Sequence, residues 1–251
     1  MGALLQAQGA IAQMQPHRAD YTLRLGAAAN APRIGTAMQD FKLDCEGWRL
    51  EREIKGEVAL TPSMKVNVAS RLDSEEQSSG DLFRYRTVQN QNGTERKTQG
   101  KVSRDGDELR AEIVAPTGGS RLVLPSPTLM PVSWINHLIG KLRDGVSAFP
   151  ALLFDAEGTG DAFMVDVSRP DQGTIRGPRP ADKTVSIPGA SWPVFMSFTR
   201  RGNQREKPLF TLTAQIFESG VLDHLTADAS VVTLTADLQG LEMHRPSACS
   251  R

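Results

Sequence analysis

The sequence has little of what most function classes need. Histidine occurs four times in 251 residues, as His17, His137, His224 and His244, and none stands at metal-ligand spacing. Lys+Arg 29 against Asp+Glu 29 leaves a formal net charge of +0, so no global field draws the chain to nucleic acid or to anionic lipid. No apolar run approaches the roughly 18–20 residues of a membrane-spanning helix. There is no Gly-x-Ser-x-Gly elbow. The acidic, glycine-rich stretch from Asp155 to Asp161 lacks the register of a calcium loop, and no Gly-Lys-Ser/Thr follows it to cradle phosphate; it reads as a solvated loop. No catalytic residue, metal or cofactor is expected, although triad members distant in the chain leave no local signature.

Cysteine is scarce as well, and the positions of the two residues are informative. Cys45 lies in Asp44-Cys45-Glu46-Gly47, and Cys249 stands two residues from the C-terminus, in a tail that frays unless something ties it down. The pair is either two unrelated thiols or a disulfide closing one domain, and the placement favours the disulfide. Chain-entropy models assign roughly 4–5 kcal/mol to closing so long a loop, and such a bond persists in an oxidising compartment. At the other end, Ala10-Ile11-Ala12 matches a small-x-small cleavage pattern. Residues 1–15 therefore read as the tail of a secretory signal or as an Ala/Gln leader without structure, and 16–251 as a single domain.

What is plentiful is period-2 alternation. Tyr21, Leu23 and Leu25 share one face of a strand, and a second strand from Ile34 to Phe41 leads to a turn with Cys45 at its tip. Trp48, Leu50, Arg52 and Ile54 leave that turn on one face. Strands follow over 64–72 and 82–88, where Phe83, Tyr85 and Thr87 face one way and Arg84 and Arg86 the other. Asn92-Gly93 and Asp105-Gly106 are hairpin turns, because Asn-Gly and Asp-Gly supply the positive φ a tight turn requires. Strands over 149–154 and 163–167 precede a Pro/Gly/Arg-rich loop over 169–180, and four more complete the chain. About a dozen strands at short spacing predict an all-β protein, a long antiparallel meander wound as a spiral or curved half-barrel.

One segment breaks the pattern. After the prolines of Leu124–Pro131, Trp134, Leu138, Ile139 and Leu142 recur at helical spacing, and Asp144-Gly145 ends the run. This central amphipathic helix packs as core, or else plugs a cavity with Trp134, Leu138 and Leu142 at its gate. Arg84, Arg86, Arg96, Lys97 and Lys101 read as an ordinary charged outer face, given Glu75, Glu76, Asp81 and Glu95 nearby.

Several ordered pieces resemble the EipB-like cell-envelope integrity family, exported proteins of Gram-negative bacteria. They are Pro16-His17-Arg18-Ala19-Asp20-Tyr21, Asp44-Cys45-Glu46-Gly47-Trp48, Phe83-Arg84-Tyr85-Arg86-Thr87, Leu124–Pro131, Pro150–Asp155 and Cys249. The resemblance implies a periplasmic β-spiral with a disulfide between Cys45 and Cys249, shaped like lipoprotein-localisation carriers and an envelope-stress sensor. It implies a non-catalytic factor maintaining envelope integrity by binding a periplasmic protein with helical, TPR-type repeats. The alternative is a carrier or sensor of lipid or lipoprotein acyl chains. A monomer without cofactor or nucleic-acid partner is expected.

Overall fold

The computed structural model describes residues 14–61, 64–157, 160–171, 173, 175, 185–202, 207–230, 232–247 and 249. Of the leader expected over 1–15, residues 1–13 lie outside the described residues, as does most of the loop expected over 169–180. Met14 and Gln15 already belong to the folded body: the Met14 side chain is buried, and the Gln15 amide donates to the carbonyl of Ser219 at 2.9 Å.

Fifteen strands and one helix form the fold. The strands are β1 His17–Leu25, β2 Arg33–Leu43, β3 Gly47–Thr61, β4 Met64–Gln77, β5 Leu82–Gln91, β6 Thr94–Asp105, β7 Glu108–Ala115 and β8 Gly118–Leu124. After them come β9 Thr128–Leu129, helix α1 Pro131–Arg143, β10 Ala148–Phe154, β11 Ala162–Ser168, β12 Ser191–Arg200, β13 Phe210–Phe217, β14 Leu222–Asp228 and β15 Thr233–Met243. All fifteen belong to one sheet, ordered β8-β7-β6-β5-β4-β3-β2-β1-β15-β14-β13-β12-β11-β10-β9. The chain is thus the all-β meander expected, with β1 and β15 paired antiparallel at its middle.

The strand order itself requires closure. β8 and β9 are the two outermost strands, yet only the turn at 125–127 separates them in the chain. A few residues reach roughly 3.3–3.6 Å each at most. The sheet therefore curls until its two edges nearly meet, and the result is barrel-like. β9 then runs parallel to β10, a pairing that needs a crossover, and α1 supplies it.

Inward positions can be followed strand to strand. Leu43, Trp48, Glu76, Phe83, Val102, Ala111 and Leu122 are successive cross-strand partners on one buried row. Phe41, Leu50, Ser74, Tyr85, Gly100 and Ile113 form the next. A Cβ at Gly100 would lie 2.5 Å from the Tyr85 ring, so glycine is what admits the tyrosine. From within, α1 adds Val132, Trp134, Leu138, Ile139 and Leu142, all buried. The expected helical spacing is borne out.

The structure adds elements that the sequence pattern did not reveal. β8 and β9 flank the proline-rich break, and β3 and β4 are longer than their apolar alternation. Val185 and Ile187, which follow the loop read over 169–180, pack against Tyr21, Val221 and Leu238.

Candidate functional site

The two ends of the barrel are covered by different devices, one of them only in part. Because neighbouring strands are antiparallel, the start of β1, the β2–β3 turn, the end of β4, the start of β10 and the end of β13 lie at one end. α1 spans that end. Asn136 Oδ1 accepts the Met14 amide at 2.8 Å, Trp134 stacks with His137 and lies beside Phe149, and Arg143 pairs with Glu218 at 2.8 Å. No side chain of its own caps the helix N-terminus. Glu76 of β4 does so instead, accepting the amides of Val132 at 2.8 Å and Ser133 at 2.7 Å, and the Ser133 hydroxyl. Anionic groups suit a helix N-terminus, yet burial dominates here and holds the Glu76 carboxyl above its ordinary range.

The disulfide sits at the same end. Cys45, at the β2–β3 turn, is bonded to Cys249, with Cα atoms 5.4 Å apart. The tail is pinned at further points: the Ser247 amide donates to Leu43 O at 3.1 Å, and His244 Nε2 donates to Asp40 Oδ1 at 2.8 Å. Burial pushes Asp40 up, but hydrogen bonds from Lys42 and His244 outweigh it and leave it below the ordinary range. His17, buried beside Phe41, is held below its ordinary value by burial.

The opposite end is covered only in part, by the β10–β11 turn, of which residues 155–157, 160 and 161 are described. Its Glu157 points into the barrel, where Oε2 pairs with Arg52 of β3 and Oε1 accepts from Ser70 of β4 at 3.2 Å. The Glu157 carbonyl accepts from Gln89 Nε2 of β5 at 2.8 Å. Burial lowers Arg52 to about 10, opposed by Asp155, and raises Tyr85 to about 12. Arg52 Nε and Tyr85 Oη are buried with no hydrogen-bond partner among the described residues. The turn is thus a docked element rather than a solvated loop. Among the described residues no group of three or more His, Cys, Asp or Glu side chains could hold a metal.

A second polar set lies on the outer face. Asp237 of β15 accepts from His224 Nδ1 of β14 at 2.7 Å and Arg24 Nε of β1 at 3.3 Å, while His224 Nε2 is 3.2 Å from Thr226 Oγ1. Hydroxyl, imidazole and carboxylate are in line, as in a relay that polarises a nucleophile. Thr226, however, is held mid-strand between Thr213 and Thr235, and the set joins three adjacent strands.

Elsewhere the outer face of β3–β8 is laced with charge. Arg49, Glu75, Arg84, Lys101, Glu112 and Arg121 are consecutive cross-strand partners, and a groove of roughly 600 Å³ runs over this face. Glu75 faces Arg84 and Glu95 pairs with Lys97, as the sequence suggested, whereas Glu76, read as part of the same charged face, points inward and caps α1. Trp134, Leu138 and Leu142 are gathered in the core, where they contribute to the stopper at one end. The Arg52–Glu157 set had a signal in the sequence: a charged residue on the apolar face of Trp48, Leu50, Arg52 and Ile54.

One curled antiparallel sheet, stoppered by its own helix and stapled at one rim, defines a barrel-like β protein. Its sequence matches the model of the EipB-like family over residues 8–245, and the chain belongs to that family. The fold is similar to a crystal structure described as a beta-barrel-like protein of a domain of unknown function from Brucella abortus. That likeness has a TM-score of 0.81 and 19% identity, covering 93% of this chain and 99% of that one. No curated protein matches the sequence. The disulfide fits an oxidising compartment.

Proposed function

We propose that this is a non-catalytic periplasmic factor that maintains cell-envelope integrity by binding another periplasmic protein. Membership of the EipB-like family supports the compartment and the envelope role. The observation that carries the binding reading is the free edge of β8. This strand pairs with β7 on one side and, among the described residues, with no strand on the other. Val123 on it is 57% exposed and Val114 on β7 is 52% exposed, both on the outer face, with Arg121 and Glu112 alongside. An unpaired edge beside exposed aliphatic side chains is a template for main-chain pairing, and side-chain contacts supply specificity. The resemblance supplies the kind of partner, a protein with helical repeats.

The test is site-specific photo-crosslinking from position 123 and, as a control, from position 55 on β3, in protein exported to a periplasm. A single crosslinked partner from 123, absent from 55 and lost in Val114→Asp/Val123→Asp, is the expected result. Equal crosslinking from both positions would remove the edge from consideration.

A second reading is favoured by the other end of the barrel. Inward positions there are aliphatic but not covered: Val68 shares its face with Leu72 yet is 41% exposed, and Leu23, Ile54, Val58 and Val66 are half-buried. An acyl chain is the ligand such a wall would hold. Lipid co-purifying with the exported protein in native mass spectrometry supports this reading, and a clean apo mass counts against it.

A further inference from the structure

Inside the barrel, donors from three adjacent strands converge on one residue that the barrel wall does not itself supply. Arg52, Ser70 and Gln89 project inward from β3, β4 and β5, and all three bond Glu157. A charged residue largely withdrawn from solvent needs a partner of opposite sign. Here the partner comes from a turn, and it leaves two donors over. Arg52 Nε and the hydroxyl of Tyr85, a residue 5% exposed, have no acceptor among the described residues.

Part of the set reaches solvent, although Arg52 Nε and Tyr85 Oη themselves are buried. The Arg52 side chain is 29% exposed and that of Glu157 24%. The aliphatic wall begins at Ile54, the next inward position after Arg52 on β3, and continues through the half-buried Val58 and Val66 to the exposed Val68. A guanidinium whose partner is a part-exposed carboxylate from a turn, bordered by aliphatic surface, complements a carboxylate at the head of a hydrocarbon chain. The Glu157 side chain is itself a carboxylate on a short methylene stem.

We infer that the Arg52–Ser70 wall is the head-group site for the carboxylate of a long-chain acid, and that Glu157 is the chain's own competitor for it. This rests on the acyl-chain reading above. Exchange of one carboxylate for another keeps the charge pairing and hydrogen bonds at Arg52, so selectivity comes from the aliphatic wall. Affinity should then rise roughly fourfold for each methylene buried. Removing Glu157 removes the competitor.

The experiment is isothermal titration calorimetry of the full, oxidised chain with dodecanoate, decanoate, dodecanol and dodecyltrimethylammonium. Wild type, Glu157→Ala, Glu157→Gln and Arg52→Met/Glu157→Met are compared. The double variant removes both charges, so it strands neither, and cooperative melting checks its fold. Expected are at least tenfold tighter dodecanoate binding in Glu157→Ala or Glu157→Gln than in wild type, and at least tenfold preference for dodecanoate over dodecanol. That preference should vanish in Arg52→Met/Glu157→Met. Equal binding of acid and alcohol by every form overturns the Arg52 site and leaves the acyl reading standing; no binding of either by any form overturns both. Displacement of dodecanoate by a peptide with a free C-terminal carboxylate, at equal or lower concentration, overturns the assignment to an acyl ligand.

Discussion

The carboxylate of Glu76, near the end of β4, holds the first turn of α1 through the amides of Val132 and Ser133, 56 and 57 residues further along the chain. One side chain thereby ties the stopper to the barrel wall. Glu76→Ala leaves two amides and a hydroxyl without their acceptor in a buried site, so a loss of about 3 kcal/mol is expected in urea denaturation. Glu76→Gln keeps one acceptor and loses less.

The pH dependence at this site has a defined sign. Burial raises the Glu76 pKa in the folded state, so the folded protein binds that proton more tightly than the unfolded chain does. The stabilisation this proton gives is complete below the ordinary carboxylate pKa and is lost as pH rises through the raised value. The stability of wild type minus that of Glu76→Gln should therefore fall as pH rises above the ordinary carboxylate range. A difference that grows with pH would reverse the assignment of burial as the dominant cause.

The disulfide joins positions 204 residues apart, and the β1–β15 ladder already brings both ends of the chain together in the folded state. Its effect is thus chiefly on the unfolded chain, with an upper limit of roughly 5.4 kcal/mol for a loop of this length. Cys45→Ser/Cys249→Ser should fold to the same far-UV spectrum with a lower urea midpoint, and reductant should shift wild type toward the variant without affecting the variant. Loss of the fold on reduction would mean that the cross-link is needed to hold the folded state, and does not act on the unfolded chain alone.

Period-2 patterning and hairpin turns made most of this fold legible, because inward and outward side chains differ in polarity along β1, β5 and β13. Closure was not legible, since it follows from which strands end the sheet, and β9 has only two residues. β8 escaped because its inward Ser120 and its glycines interrupt the alternation. Cys45 and Cys249 were legible by position. Glu157 was not: its neighbours Asp155, Gly158 and Gly160 give the composition of a surface turn, and only the inward Arg52, remote in sequence, shows where it docks.

Trp134 measures how firmly the stopper is seated. It is buried between His137, Phe149 and the core of the barrel. If the helix is an integral part of the core, Trp134→Ala should cost about 3–5 kcal/mol, as truncation of a packed aromatic does. Amides of α1 should then exchange only through global unfolding. Exchange of those amides well before the sheet amides would identify α1 as a part that opens separately.

Gly35 tests the tightest point of the wall. It pairs with Gly56 across β2 and β3, and a Cβ at position 35 would lie 2.0 Å from the Lys55 carbonyl oxygen. Both strands run through the closed sheet, so neither can move aside without shifting its own neighbours. Gly35→Ala should therefore lose at least about 3 kcal/mol, at or beyond the upper end of overpacking costs. Gly93→Ala meets no atom within 4 Å but sits at φ +84 in a hairpin tip. Its cost is backbone strain alone, about 1–2 kcal/mol. The two variants, compared by thermal melting, separate crowding inside the wall from strain at a turn, and equal losses would show that the β2–β3 pair can spread.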